Sequence, residues 1–148
     1  MNILVSACLL GVECRYDGKG ALEPRLEKLM KEHHLIPVCP EIMGGLAIPR
    51  TPAERMGDRV ITKKGEDVTE AYERGAAEVL KLGLLYGCTV AVLKERSPSC
   101  GKGRIYDGTF TRTLSEGRGV CAECLESQGI KVYGESRIGR LMEEMERL

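Results

Sequence analysis

Residues 2–8 read Asn-Ile-Leu-Val-Ser-Ala-Cys, a short and mainly apolar run, Asn2 to Ser6 (NILVS), that gives way to a turn carrying Cys8. The arrangement recurs twice. Leu35 to Val38 (LIPV) leads into Cys39, and Thr89 to Leu93 (TVAVL) leads through a turn to Cys100. Runs of this length without polar alternation read as strands buried on both faces. If the three are parallel strands of one sheet, all three thiols lie at its carboxyl-terminal edge, where open α/β sheets form their ligand crevice. Three soft ligands brought from three separate loops make a metal site with one position left open, and an open position is what catalysis needs.

The segments between these runs supply the helices of such a fold. A glycine-bearing loop, residues 8–20, precedes a helix over 22–33 with Leu26, Leu29 and Met30 on one side. Residues 40–52 hold Gly44, Gly45, Pro49 and Pro52, a density that predicts a loop with no regular helix. A small hairpin is expected from Arg59–Thr62, turning at Lys63-Lys64-Gly65, followed by a helix over 69–86 capped by Thr69. Residues 94–119 form a long loop rich in Gly, Ser and Pro, and functional loops are the usual reason for such length. A short helix over 120–127 ending at Gly129, a strand over 130–133 and an amphipathic helix to Arg147, capped by Ser136, complete the chain. The four-fold alternation of strand and helix predicts an α/β, three-layer Rossmann-like domain. It has a mainly parallel sheet of about four strands and a small β-hairpin insertion. With 148 residues, one domain spanning 1–148 is expected.

Lys plus Arg equals Asp plus Glu at 22 each, so no global field draws the chain to nucleic acid or membrane. Residues 1–11 lack the charged start and cleavage site of a signal peptide, and the expectation is a soluble cytoplasmic protein. Seven cysteines in that setting point to metal, reactivity or core packing rather than disulfides. One Phe and no Trp argue against an aromatic platform for single-stranded RNA.

Three blocks of residues carry a resemblance. Ser6-Ala7-Cys8-Leu9-Leu10-Gly11 with Arg15-Tyr16-Asp17-Gly18 form the first. Cys39-Pro40-Glu41 with Gly44-Gly45-Leu46 and Pro49-Arg50 form the second. The third is Lys94 with Ser97-Pro98-Ser99-Cys100-Gly101. In order and spacing they resemble the thiouracil desulfidase family over nearly the whole chain. The resemblance implies a [4Fe-4S] cluster held by Cys8, Cys39 and Cys100, with the fourth iron free of protein ligands. A thiophilic open iron would polarise the C=S bond of a thiolated pyrimidine, and water would replace sulfur without net electron transfer.

Such an addition needs a proton acceptor. Glu41, two residues beyond Cys39, is the expected general acid/base, with Ser97 second, placed to orient water or the pyrimidine. Ser99 reads mainly as a turn-forming serine beside the substrate. Lys94, Arg50 and Arg15 are candidates to hold a ribose phosphate or to neutralise the cluster. Cys121-Ala122-Glu123-Cys124 has the C-x-x-C spacing of a redox motif or half a zinc site, yet nothing completes a zinc site and the resemblance does not cover it, so packing is expected. Cys14 and Cys88 read as packing residues. His33 and His34 are explained by a helix C-terminus.

Two alternatives stand beside the enzyme. A zinc-binding structural protein would use the same three cysteines plus a fourth, such as Cys14. An RNA-interaction protein would meet phosphates with Lys94, Arg96, Lys102 and Arg104. Free base, nucleoside and RNA substrates, and the 2-thio and 4-thio positions, all remain open at this point.

Overall fold

The computed structural model describes residues 1–147. In chain order the elements are β1 (Asn2–Ser6), α1 (Leu26–Glu32), β2 (His34–Val38), α2 (Pro40–Met43), β3 (Ala53–Met56), β4 (Arg59–Thr62), α3 (Thr69–Leu85), β5 (Val90–Leu93), β6 (Arg104–Tyr106), β7 (Leu114–Glu116), α4 (Val120–Ser127), β8 (Lys131–Gly134) and α5 (Ile138–Glu146). Four strands form one parallel sheet in the order β2-β1-β5-β8. Its two faces are packed by different helices. Leu4, Ala91, Leu93 and Val132 meet α3 and α4 through Ala76, Val79, Ala122 and Leu125. Ile3, Val5, Val92 and Tyr133 meet α1 and α5 through Leu26, Leu29, Ile138 and Leu141. Alternate residues of each strand thus serve opposite layers, which gives the expected three-layer Rossmann-like α/β architecture. Among the described residues no helix is long and apolar enough to cross a membrane.

β1 lies between β2 and β5, so the chain leaves β1 in one direction and returns to its other side. That reversal is a topological switch point, the position outside the carboxyl ends of neighbouring strands, here β1 and β5, where open α/β sheets bind ligands.

Several local expectations are corrected. Residues 40–52 are not all loop, because Pro40 opens the single helical turn α2. A proline at the first helical position lacks only an N–H that would have no partner there. Arg59–Thr62 pairs upstream with Ala53–Met56 around Gly57, which sits at φ 60°, and the Lys63-Lys64-Gly65 turn returns only to a single bridge between Ile61 and Asp67. A second hairpin, β6 with β7, occupies the long loop 94–119. Helix α1 begins at Leu26 because Pro24 disfavours helix at the preceding residue, and Met30 is exposed on the outer side.

Neither proposed cap serves. The Thr69 hydroxyl accepts the Val60 N–H at 2.8 Å, while Asp67 accepts the N–H of Thr69 at 2.9 Å. Ser136 lies in a short 3-10 turn, its N–H donated to Glu95 Oε1.

Two glycines let α2 lie directly on α3. A Cβ at Gly44 would stand 2.0 Å from the Ala71 carbonyl oxygen, and one at Gly75 would stand 1.8 Å from that of Pro40. No side chain fits either gap without moving a helix. Gly75→Ala is expected to destabilise the protein by about 3 kcal/mol, the upper range for overpacking. Urea unfolding of the variant against the wild type measures this.

Candidate active site

Each of the three cysteines follows a sheet strand and is set by its turn. Cys8 sits in a 3-10 turn, Ala7–Leu10, that directly extends β1 and closes at Gly11 with φ 91°, a left-handed conformation that favours glycine. The loop then folds back, and the Ala21 N–H reaches the Cys8 carbonyl at 2.8 Å. Cys39 joins β2 to α2 in extended conformation, its Sγ 3.8 Å from the Cys14 carbonyl oxygen. Cys100 lies in the turn beyond β5, where Ser97 Oγ accepts the N–H groups of Ser99 and Cys100, both at 3.1 Å.

Helix α4 secures that turn. The N–H groups at its start, Val120, Cys121 and Ala122, donate to the carbonyls of Pro98 (2.8 Å) and Ser99 (2.8 and 3.1 Å). A Cβ on Gly119 would stand 2.4 Å from the Ser99 carbonyl carbon, so only glycine admits this approach. The positive end of the helix therefore faces the Cys100 turn.

The thiols share one electrostatic environment. Burial pushes the Cys8 thiol up to about 12, and negative charge on Cys100, Cys14 and Cys39 pushes the same way, against the Lys94 ammonium. Burial raises Cys100 to about 11, opposed by a hydrogen bond from the Ser6 hydroxyl, while Glu41 and Cys39 raise it further. Burial likewise raises Cys14 to about 12, with Cys39 adding to the rise. Buried thiols with these values ionise readily only beside a compensating cation.

Among the described residues no three His, Cys, Asp or Glu side chains converge closely enough to hold one metal ion. Tetrahedral zinc would need sulfurs about 3.8 Å apart, from its ~2.3 Å bonds to sulfur. The thiols of Cys8, Cys14, Cys39 and Cys100 are nonetheless near enough to act on one another electrostatically.

Glu41 stands in the first turn of α2, inside a shell of donors. Its Oε1 accepts Arg50 Nε at 3.0 Å and the Tyr72 hydroxyl at 2.9 Å, and its Oε2 accepts the Ser99 hydroxyl at 2.9 Å. Ser99 is 1% exposed, with Cys100 Sγ 3.6 Å from its oxygen and Ser97 Oγ at 3.0 Å. Ser99 spends its single proton on the carboxylate, so Ser97 is the donor between the two hydroxyls.

The cations divide. Arg50 uses all three nitrogens on protein acceptors: Glu41, the Ala47 carbonyl (3.2 Å) and the Cys14 carbonyl (3.0 Å). Lys94 Nζ pairs with Glu135 at 2.8 Å and still acts on Cys8. Arg15 is more exposed, 3.8 Å from Asp17 and over the Tyr16 ring. Of the four cations of the RNA alternative, Lys94 and Lys102 are neutralised by Glu135 and Glu126.

Cys121 is wholly buried among core residues and burial raises its thiol well above the ordinary value, with the neighbouring charges of Cys100 and Cys124 adding to it. Packing describes it, as it does Cys88.

Tyr72 was not singled out by the sequence, and Ser6 entered only as the first residue of a block of resemblance, without a role. Tyr72 occupies one apolar-face position, with Ala76 and Val79, of a long helix, and Ser6 is the last residue of a strand. The one available signal was helical spacing, which reads as core.

The 2-thiouracil desulfurase family matches residues 3–137. The chain belongs to that family. Its relatives include the uncharacterized protein YbbK of Bacillus subtilis (strain 168), 41% identical over 95% of this chain and 99% of YbbK. It is also similar to the solved structure of a [4Fe-4S]-dependent thiouracil desulfidase, TudS. The identity is 43%, 99% of each chain is covered, and the TM-score is 0.94. Family membership thus spans both sheet faces and all three cysteine turns.

The raised thiols set a pH dependence for the metal-free protein. Unfolded thiols ionise near 9.0, whereas the folded Cys8, Cys14 and Cys100 resist ionisation up to about 11 to 12. Stability is therefore full below pH 9 and is lost as pH rises from 9 towards 12. Thermal unfolding of metal-free protein across that range should show the decline, and Cys8→Ser should flatten it.

Proposed function

We propose that this protein is a [4Fe-4S]-dependent desulfidase of thiolated pyrimidines, with Cys8, Cys39 and Cys100 as the cluster ligands and the chain acting as one catalytic domain. The observation that carries the reading is the Glu41 carboxylate hydrogen-bonded through Ser99 beside Cys100, at the sheet edge where the turns of Cys8 and Cys39 also end their strands and their thiols act on Cys100 electrostatically. Membership in the desulfurase family supports it, as does the cofactor named for TudS.

When bound, the cluster supplies an iron without a protein ligand, a thiophilic Lewis acid for the exocyclic sulfur. The residues of the chain supply the rest. Water adds to the thiocarbonyl carbon, sulfur leaves as sulfide, and carbon keeps its oxidation state because C=S becomes C=O. Glu41 takes a proton from that water at Oε2, the oxygen with acceptor capacity left after Ser99, and returns it to the ring nitrogen or the leaving sulfide. Ser97 orders this oxygen through its hydrogen bond to Ser99. Arg50 fixes the carboxylate rather than a phosphate, and Lys94 contributes positive charge near the thiols. Arg15, more exposed than Arg50 or Lys94, is our candidate to meet a substituent on the pyrimidine.

Anaerobic reconstitution followed by assays for iron, acid-labile sulfide and loss of thiouracil absorbance tests the reading. About four irons and four sulfides per chain are expected, with uracil and sulfide formed from 2-thiouracil or 4-thiouracil. Cys8→Ala, Cys39→Ala and Cys100→Ala should each lose the cluster, while Cys121→Ala with Cys124→Ala should keep it. Glu41→Gln should keep the cluster and lose about a hundredfold in turnover. Stoichiometric zinc without iron after reconstitution would sink the proposal.

A further inference from the structure

We propose that Tyr72, on α3, is a positioning residue for the Glu41 carboxylate, delivered by the glycine contact between α2 and α3. Its role in turnover rests on the desulfidase reading; its hold on the carboxylate does not.

Tyr72 is the largest fully buried side chain of the protein, 2% exposed, and its hydroxyl donates to Glu41 Oε1 at 2.9 Å. A phenol in a core needs such a partner, since phenylalanine would fill the same space without a polar group to satisfy. Burial, and then the charge and hydrogen bond of Glu41, raise the phenol well above its ordinary value, so it remains a donor at working pH.

The geometry on the carboxylate is asymmetric. Oε1 accepts both Arg50 and Tyr72, while Oε2 accepts Ser99 alone. Two donors from different segments fix Oε1 from two directions, and Oε2, with Ser99 as its one donor, keeps the greater acceptor capacity.

The hydroxyl reaches Oε1 only because α2 rests on α3 at Gly44 and Gly75, where backbone atoms of one helix fill the Cβ positions of the other. Tyr72 lies one turn before Gly75, and Glu41 follows Pro40, whose carbonyl meets Gly75. Both ends of the hydrogen bond are therefore fixed by the same contact.

The test is a cycle of Tyr72→Phe, Glu41→Gln and the double variant, read in two ways. In urea unfolding of the metal-free protein, the single-variant midpoint shifts should sum to more than the double variant's shift. Additive shifts would mean that no such bond exists and would overturn the proposal.

In the loaded enzyme, Tyr72→Phe should retain full iron and sulfide and lower kcat for 2-thiouracil about tenfold with KM nearly constant. It should cause no further loss in the Glu41→Gln background. An unchanged kcat, or an equal loss in both backgrounds, would reduce Tyr72 to packing. A wild-type enzyme inactive on both thiouracils would overturn the desulfidase reading and the kinetic half of this inference, leaving the urea cycle to judge the contact.

Discussion

An ionised carboxylate half-hidden from water has to be matched by donors, and the match at Glu41 ties together most of the site. Its donors come from the loop after α2, from α3 and from the turn beyond β5. The Glu41–Arg50 pair is only 15% and 9% exposed at the side chains. Removing one member of a pair so buried costs about 3–5 kcal/mol, because the other is left uncompensated. The knot therefore fixes the turn of Cys39 relative to the turn of Cys100, and Arg50 extends it to the Cys14 carbonyl in the loop that follows Cys8.

The two faces of the sheet divide the work. The α1/α5 side carries the Cys8 turn, and its charges meet above β5 and β8, where Lys94 pairs with Glu135 and Ser136 donates to Glu95. The α3/α4 side carries the carboxylate's support, through Tyr72, and the base of the Cys100 turn, through the start of α4. The crevice between β1 and β5 is where the two meet, so its chemistry borrows rigidity from both layers.

The parallel sheet and its thiols were legible because strands buried on both faces leave apolar runs, and the cysteines stood at the ends of those runs. What hid were features that depend on the third dimension. Pro40 looked like a helix breaker, although at a first helical position it starts one. Arg59–Thr62 has turn-forming residues on both sides, and its pairing with Ala53–Met56 is decided by packing rather than by the turn alone. Thr69 and Ser136 have the chemistry of caps, but tertiary partners claim the Thr69 hydroxyl and the Ser136 N–H. Arg50, read from the sequence as a cation to hold a ribose phosphate or neutralise a cluster, donates to three protein acceptors that only the folded chain brings to it. Tyr72 was invisible for the opposite reason, since an aromatic on the buried face of a helix is the expected sight in any core.

Residues 8, 39 and 100 are far apart along the chain and become neighbours only when β1 has paired with both β2 and β5. An unfolded chain therefore offers scattered thiols and no preformed cradle. A nascent chain presents Cys8 and Cys39 well before Cys100 exists, so under the proposed ligation iron delivered during synthesis would meet an incomplete donor set. Completion of the sheet would then be the gate for cofactor capture, and capture would withdraw folded molecules from the unfolding equilibrium.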